Sequence, residues 1–157
     1  MIETERLIIR APRAHERVHV HELFADLTNE RVDPGADAAQ IRRWAYGVPW
    51  GVWERETGEL VGDCSLHYDT TFGDWELSYG FRRDRWGRGY ATEAAAACRD
   101  WALGQLGLTR VISLIALENI ASVRVAEKIG ESFEREVDNT PFPHRYGLWS
   151  LGERMSE

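Results

Sequence analysis

The stretch Arg82-Arg83-Asp84-Arg85-Trp86-Gly87-Arg88-Gly89-Tyr90-Ala91-Thr92-Glu93-Ala94 gathers four arginines before and within a glycine-containing turn that opens a helical pattern. Just upstream, Trp75-Glu76-Leu77-Ser78-Tyr79-Gly80-Phe81 alternates large apolar with smaller or polar residues, the period of a strand. A turn that leaves a strand and starts a helix presents backbone N–H groups without a helical acceptor, at the positive end of the helix dipole. Such a turn is an anion cradle, and guanidinium groups beside it favour phosphate. The formal net charge is −7, so cations gathered here mark a binding place for a phosphorylated ligand.

The cradle matches neither common nucleotide motif. A dinucleotide fingerprint needs a third glycine where Thr92 stands, and a P-loop needs Gly-Lys-Ser/Thr, which is absent.

At 157 residues the chain is expected to form one domain, 1–157, and to bury its own core. Hydrophobic residues at 43% and charged residues at 29% are ordinary for a globular protein. The acidic balance argues against nucleic-acid binding and against adhesion to anionic membranes, and it suits a cationic partner such as an amine. Cys64 and Cys98 lack metal-ligand spacing and sit in apolar stretches, the setting of small buried side chains in a reducing compartment. Met1–Arg6 alternates charge without a secretory pattern, and no apolar run is long enough to span a bilayer. A cytoplasmic location is the expectation.

Outward from the cradle, the spacing predicts a helix over Gly89–Leu103 with small residues Ala91, Ala94, Ala95, Cys98 and Ala102, which permit close approach to a sheet. Val111–Leu117 is nearly continuously apolar, as a central strand covered on both faces would be. A helix over Ile120–Ile129 ends at Gly130, suited to a left-handed cap. Phe133–Val137 and Tyr146–Leu151 read as closing strands around a loop at Asn139–Pro143. Earlier in the chain, Leu7–Arg10 reads as a strand, His15–Leu27 as an amphipathic helix, Thr28–Asp37 as a loop and Ala38–Tyr46 as a short helix. Trp50–Arg55 and Leu60–Leu66 form a hairpin turned at Glu56–Glu59. Hairpins early and crossover helices late make a layered α/β (α+β) architecture.

Glu3–Arg10, Trp86–Ala94, and Glu118-Asn119-Ile120-Ala121-Ser122 with Glu127-Lys128-Ile129-Gly130 together resemble the GNAT acetyltransferases. The similarity is greatest to the branch containing the ribosomal-protein N-terminal acetyltransferases, and the landmarks follow the family's order over nearly the whole chain. The resemblance implies a mixed, mostly antiparallel sheet of about six to seven strands, splayed between strands 4 and 5 and flanked by about four helices. Trp75–Phe81 and Arg110–Leu117 would be the splayed strands, with acetyl-CoA between them as co-substrate. By the same resemblance, the pantetheine arm pairs with backbone near Phe81, Arg82 and Arg83. The pyrophosphate sits on amides from Gly87 through Arg88, Gly89, Tyr90 and Ala91 to Thr92. Trp86 stands where the family usually has Gln or Arg. Glu131 follows Gly130 where the family usually has a large apolar residue.

Asn119 and Ser122 share one face at a helix start. Resemblance assigns Asn119 to polar contact with cofactor or substrate, and Ser122 to protonating the departing thiolate; plain N-capping is the competing reading of Asn119. An amine attacks a thioester only when neutral, so a base is needed. Glu76 is the first candidate, with Glu136 and Asp138 as alternatives. By the same resemblance, backbone N–H near Phe81 would stabilise the carbonyl oxygen. Glu93 suits the helix dipole instead. His15 and His19 share a helical face, but no Cys or carboxylate completes a ligand set with them or with His21, and no metal is expected. His144 reads as turn packing. Most of Trp44, Trp50, Trp53, Trp75 and Trp86 are expected in packing, although they could wall a substrate pocket.

The expectation is an acetyl-CoA-dependent N-acetyltransferase acting by direct transfer to a primary amine, on a small molecule or a protein N-terminus. The chain would be a monomer or homodimer, with specificity in the segments 28–37 and 139–143. Two competitors stand beside it. One is a CoA-binding sensor of the same fold; the other is nucleic-acid binding through the arginines and Trp86, which the acidic charge disfavours.

Overall fold

A computed structural model describes residues 1–31, 50–138 and 145–153. Eight strands form one sheet: β1 (Ile2–Glu3), β2 (Leu7–Arg10), β3 (Gly51–Glu54), β4 (Leu60–Asp69), β5 (Asp74–Phe81), β6 (Arg110–Ala116), β7 (Ser132–Val137) and β8 (Tyr146–Gly152). Their order is β1-β2-β3-β4-β5-β6-β8-β7. Every neighbouring pair is antiparallel except β5–β6, which is parallel. The parallel step is where the crossover helix α2 (Tyr90–Gly104) intervenes, as a parallel connection requires. The other described helices are α1 (Arg17–Arg31) and α3 (Ile120–Lys128), with a short 3₁₀ turn at Arg83–Arg85.

The core follows the two periodicities. Leu7, Ile9, Val52, Val61, Leu77, Tyr79 and Phe81 come from the sheet, and Ala94, Ala95 and Cys98 from α2. Ala94, Ala95 and Ala102 are fully buried; their small size lets α2 lie close to β4 and β5. Cys64 on β4 and Cys98 on α2 are both buried, and their sulfurs meet at 3.3 Å. The hydrogen bond to Cys98, together with burial, pushes the Cys64 thiol well above its ordinary value.

Several boundaries differ from the sequence reading. The first helix begins at Arg17 and continues through Thr28–Arg31, which were expected in a loop, because no glycine or proline interrupts it before Pro34. Val18 is exposed while Val20 is buried, since neighbours two apart on a helix face differently. β4 runs to Asp69 rather than stopping at Leu66, and Ile2–Glu3 adds an edge strand. The expected helix at Ala38–Tyr46, Trp44, most of the loop 28–37, the loop Asn139–Pro143 and His144 lie outside the described residues.

Candidate active site

β4 and β5 are joined by eight register pairs and β6 and β8 by seven, but β5 and β6 share only Glu76↔Ile112. Beyond that pair the two strands part. A cavity of about 580 Å³ opens between them, floored by Tyr79, Gly80 and Phe81 on β5 and by Ala116 at the end of β6. α2 closes one side with Gly89, Tyr90, Ala91 and Thr92; α3 closes the other with Asn119, Ser122 and Val125.

The β5 backbone has a defined sense. Arg82 N–H donates to the Val61 carbonyl at 3.0 Å, and ladder alternation then turns even-numbered peptide groups toward β4. The peptide groups of Leu77, Tyr79 and Phe81 face β6 and the gap. Two of those carbonyls receive side chains: Ser113 Oγ lies 3.0 Å from Leu77 O, and the Trp86 indole N–H donates to Phe81 O at 2.7 Å. The Phe81 N–H is left facing the cavity. The Arg82 carbonyl accepts from Arg85 N–H and the Arg83 carbonyl from Trp86 N–H, so this segment is a tight turn and not a strand edge.

The cradle is an open helix start. Gly89 is the N-cap with φ 78°, a left-handed geometry that glycine adopts without cost, and no side chain caps the helix. The first intrahelical bond of the turn is Glu93 N–H to Gly89 O, which leaves the amides of Tyr90, Ala91 and Thr92 at the cavity. Glu93 does not cap them. Its carboxylate takes the Thr4 hydroxyl at 2.6 Å, the Arg6 N–H at 3.0 Å and the Arg6 guanidinium at 2.7 Å. Burial opposes its charge, but these donors prevail and hold the Glu93 carboxyl below its ordinary value. Arg6 also donates to the Arg88 carbonyl at 2.8 Å and lies over the Tyr90 ring.

The four arginines divide. Arg82 pairs with Asp84, Arg88 reaches toward Glu54 at 3.8 Å, and Arg83 lies over the Trp86 ring. None of these three lines the cavity; acidic and aromatic neighbours hold them at the surface. Arg85 does line it. Its guanidinium pairs with Glu59, and its buried Nε has no partner among the described residues. Of the cluster, Arg85 alone therefore joins the main-chain amides at the cavity, where Arg124 and Lys128 from α3 add further positive charge.

At α3, Asn119 is the N-cap: its Oδ1 accepts from Ser122 N–H at 3.2 Å. Asn119 and Ser122 both line the cavity. The Tyr79 hydroxyl donates to the Ser122 carbonyl at 3.0 Å, spanning the gap between β5 and α3.

The carboxylates separate clearly. Glu76 is buried, with Oε2 2.9 Å from His67 Nε2 directly across the β4–β5 ladder. Burial disfavours a charged His67, but Glu76, by hydrogen bond and by charge, prevails with Asp69 and raises it above its ordinary value. Glu76 lies beside the cavity at the apex of the splay, outside the lining. Glu136 pairs with Arg145 on the exposed β7–β8 edge, and that bond holds it below the ordinary range. Asp138 is exposed. Tyr146 is buried, which pushes its phenol up to about 12, with help from the charges of Glu118 and Glu76. His67, Asp69 and Glu76 bring ligand-type atoms within 4.8 Å of one another. His67 and Glu76 approach each other as an ion pair, and Asp69 Oδ1 accepts from the amides of Thr71 and Phe72.

Of the tryptophans, Trp53 is in the core, Trp50 packs on Trp101, Trp75 meets Tyr68 edge-on, and Trp86 lines the cavity. Sequence reasoning missed the lining residues Arg124 and Lys128; their spacing of four on the helix carrying Ser122 was the available signal. Among the described residues no helix is long and apolar enough to cross a membrane.

Residues 6–132 match the model of the acetyltransferase (GNAT) domain. The uncharacterized N-acetyltransferase YnaD of Bacillus subtilis is 38% identical over 139 residues, 82% of this chain and 81% of that protein. The uncharacterized protein YkkB of the same organism is 35% identical over 113 residues, which span 64% of this chain and 66% of that protein. Among solved structures, an acetyltransferase from Agrobacterium tumefaciens superposes with a TM-score of 0.78 at 25% identity, covering 97% of this chain and 94% of that one. The fold is shared with spermidine N-acetyltransferase from Vibrio cholerae, solved in complex with CoA and spermine, at a TM-score of 0.73 and 15% identity over 95% and 96% of the two chains.

Proposed function

The chain belongs to the GNAT acetyltransferase family, and on that premise we propose that it is an acetyl-CoA-dependent N-acetyltransferase acting on a primary amine. The observation that carries this reading is the single β5–β6 pair with a cavity beyond it, bounded by an uncapped helix start. The donor set fits acetyl-CoA: amides at Tyr90–Thr92 and the orphaned Arg85 Nε suit a diphosphate, and Phe81, Ala116 and Val125 suit an aliphatic arm. Acetyl-CoA supplies an activated acyl carbonyl.

The chain's own residues then have distinct tasks. Phe81 N–H stabilises negative charge developing on the acyl oxygen. Glu76, held by His67 beside the cavity, takes through an intervening water the proton that the amine must lose to attack. Ser122 gives its hydroxyl proton to the sulfur as the C–S bond breaks and the C–N bond forms, and takes one back from solvent water. Asn119 orients that hydroxyl by capping the helix, and its amide N–H₂ remains for the bound arm. The acidic overall charge suits a cationic acceptor, from small polyamine to protein N-terminus.

Thermal shifts with acetyl-CoA, CoA, ATP and NAD side by side test the donor. A ligand at about 100 times its Kd stabilises by about 2.7 kcal/mol, and only the two CoA species should do so. An amine panel with thiol detection tests transfer. CoA released with an amine supports the enzyme; acetyl-CoA bound without release from any amine makes the protein a sensor.

A further inference from the structure

We propose that Glu131 is a positioning residue that acts as a neutral hydrogen-bond donor: through Ser113 it pins the Leu77 carbonyl and so fixes where β5 and β6 part.

The local fold delivers Glu131 to this place. α3 ends with Gly130 at φ 90°, with Gly130 N–H bonded to Glu127 O and Glu131 N–H to Ala126 O, a Schellman termination. That turn sends Glu131 inward at the start of β7, where it is 3% exposed. Its Oε1 lies 3.0 Å from Ser113 Oγ, and Ser113 Oγ lies 3.0 Å from Leu77 O. Ser113 and Leu77 are each 1% exposed, and Glu131 Oε2 has no partner among the described residues.

A serine hydroxyl has one proton, yet Ser113 faces two oxygens. If Glu131 were ionised, Ser113 could serve the carboxylate or Leu77, and not both. A protonated Glu131 resolves this: its O–H donates to Ser113 Oγ, and Ser113 donates onward to Leu77 O. Leu77 directly follows Glu76, the last β5 residue in register with β6, so the chain of donors sits at the apex of the splay. The surroundings favour the neutral form. Burial pushes the carboxyl up to about 7; Ser113 and Arg99 on α2 oppose this, and the charge of Glu76 on β5 reinforces it. His67 on β4, paired with Glu76, and Tyr146 on β8, which feels the charge of Glu76, also titrate above their ordinary values. The residue also stands where the family pattern has an apolar side chain, and a neutral acid is the polar group that such a site tolerates.

The link to the cleft rests on reading the cavity as the CoA site, so the test has two arms. The first measures acetyl-CoA affinity from mildly acidic to mildly alkaline pH. Wild type should weaken by roughly three- to tenfold as Glu131 ionises. Glu131→Gln, whose amide donates without titrating, should hold the wild-type acidic affinity throughout. Glu131→Ala and Ser113→Ala should be weak at every pH, and His67→Gln should keep the wild-type slope. The second arm is the infrared carboxylic-acid C=O band of the ligand-free protein at mildly acidic pH, which Glu131→Gln should remove. The proposal is overturned if that band is unchanged in Glu131→Gln, if Glu131→Gln behaves like Glu131→Ala, or if His67→Gln alone flattens the profile. Should acetyl-CoA fail to bind at any pH, the CoA reading fails, and the infrared band alone decides whether Glu131 is the donor.

Discussion

Trp86 donates its indole N–H to the Phe81 carbonyl at 2.7 Å, so a ring that is 56% exposed is tied by one bond to the floor of the cleft. The residue that replaces the family's usual Gln or Arg thereby closes one backbone acceptor and leaves the Phe81 N–H as the polar group for a ligand. Trp86→Phe keeps the ring and loses the tether. Acetyl-CoA affinity, read by calorimetry, should fall by roughly three- to tenfold, with the melting temperature nearly unchanged.

Capping and chemistry should come apart at α3. Asn119→Ala removes a side-chain cap and should cost about 0.5–2 kcal/mol of stability in denaturant titrations. Ser122→Ala should lower kcat by at least about tenfold while stability stays within about 0.5 kcal/mol. A Ser122→Ala enzyme with unchanged kcat would remove the serine from proton transfer.

Arg85 is the cavity's one guanidinium from the arginine cluster, so its loss should be felt through the diphosphate. Arg85→Gln should weaken CoA binding and flatten its salt dependence. An acetyl-pantetheine thioester, which lacks the diphosphate, should bind both proteins alike. Equal loss for both ligands would place Arg85 in fold maintenance.

Stability should peak in the mildly acidic range. Glu131 is raised to about 7, so its contribution is complete below the ordinary carboxylate value and is lost as pH climbs through about 7, about 3 kcal/mol in all. His67, also raised, acts with the same sign: its contribution is complete below about 6.5 and lost above its folded value. Glu16 works oppositely. Its hydrogen bond with Arg10 lowers it to about 2, so its contribution is present above the ordinary value and lost as pH falls toward 2. Melting temperature against pH should decline through neutrality, and Glu131→Gln should flatten that decline; a curve that rises through neutrality contradicts the assignment.

Cys64 and Cys98 should resist thiol reagents in the native state, because both are buried and Cys64 is held protonated. Both should label on unfolding in denaturant, at the rate of global opening.

What could be read along the chain was local. The hairpin around Gly58, the helix after Gly89, the apolar β6 and the glycine stop at Gly130 all follow from short-range periodicity and turn chemistry, and the structure has them. The clustering of Asn119, Ser122 and the Tyr90–Thr92 amides around one cavity followed from motif order. Arg82 with Asp84 is a local pair, but the fate of Arg85 and Arg88 was not legible, because their partners Glu59 and Glu54 come from the β3–β4 hairpin, whose placement against this turn no local pattern fixes. His67 opposite Glu76, Ser113 beneath Leu77, and Cys64 against Cys98 are likewise pairings across the fold. Thr28–Arg31 illustrate the reverse error: polar residues without a helix breaker read as loop and yet continue a helix.

One side chain near the start of the chain fastens the far end of the cradle. Arg6, in the β1–β2 turn, holds Glu93, the Arg88 carbonyl and the Tyr90 face at once. Trimming or fusing the protein there would therefore present as a coenzyme-binding defect, although no residue of the cleft had been altered. A random mutagenesis screen for lost activity should return position 6 together with the helix start at Gly89–Tyr90.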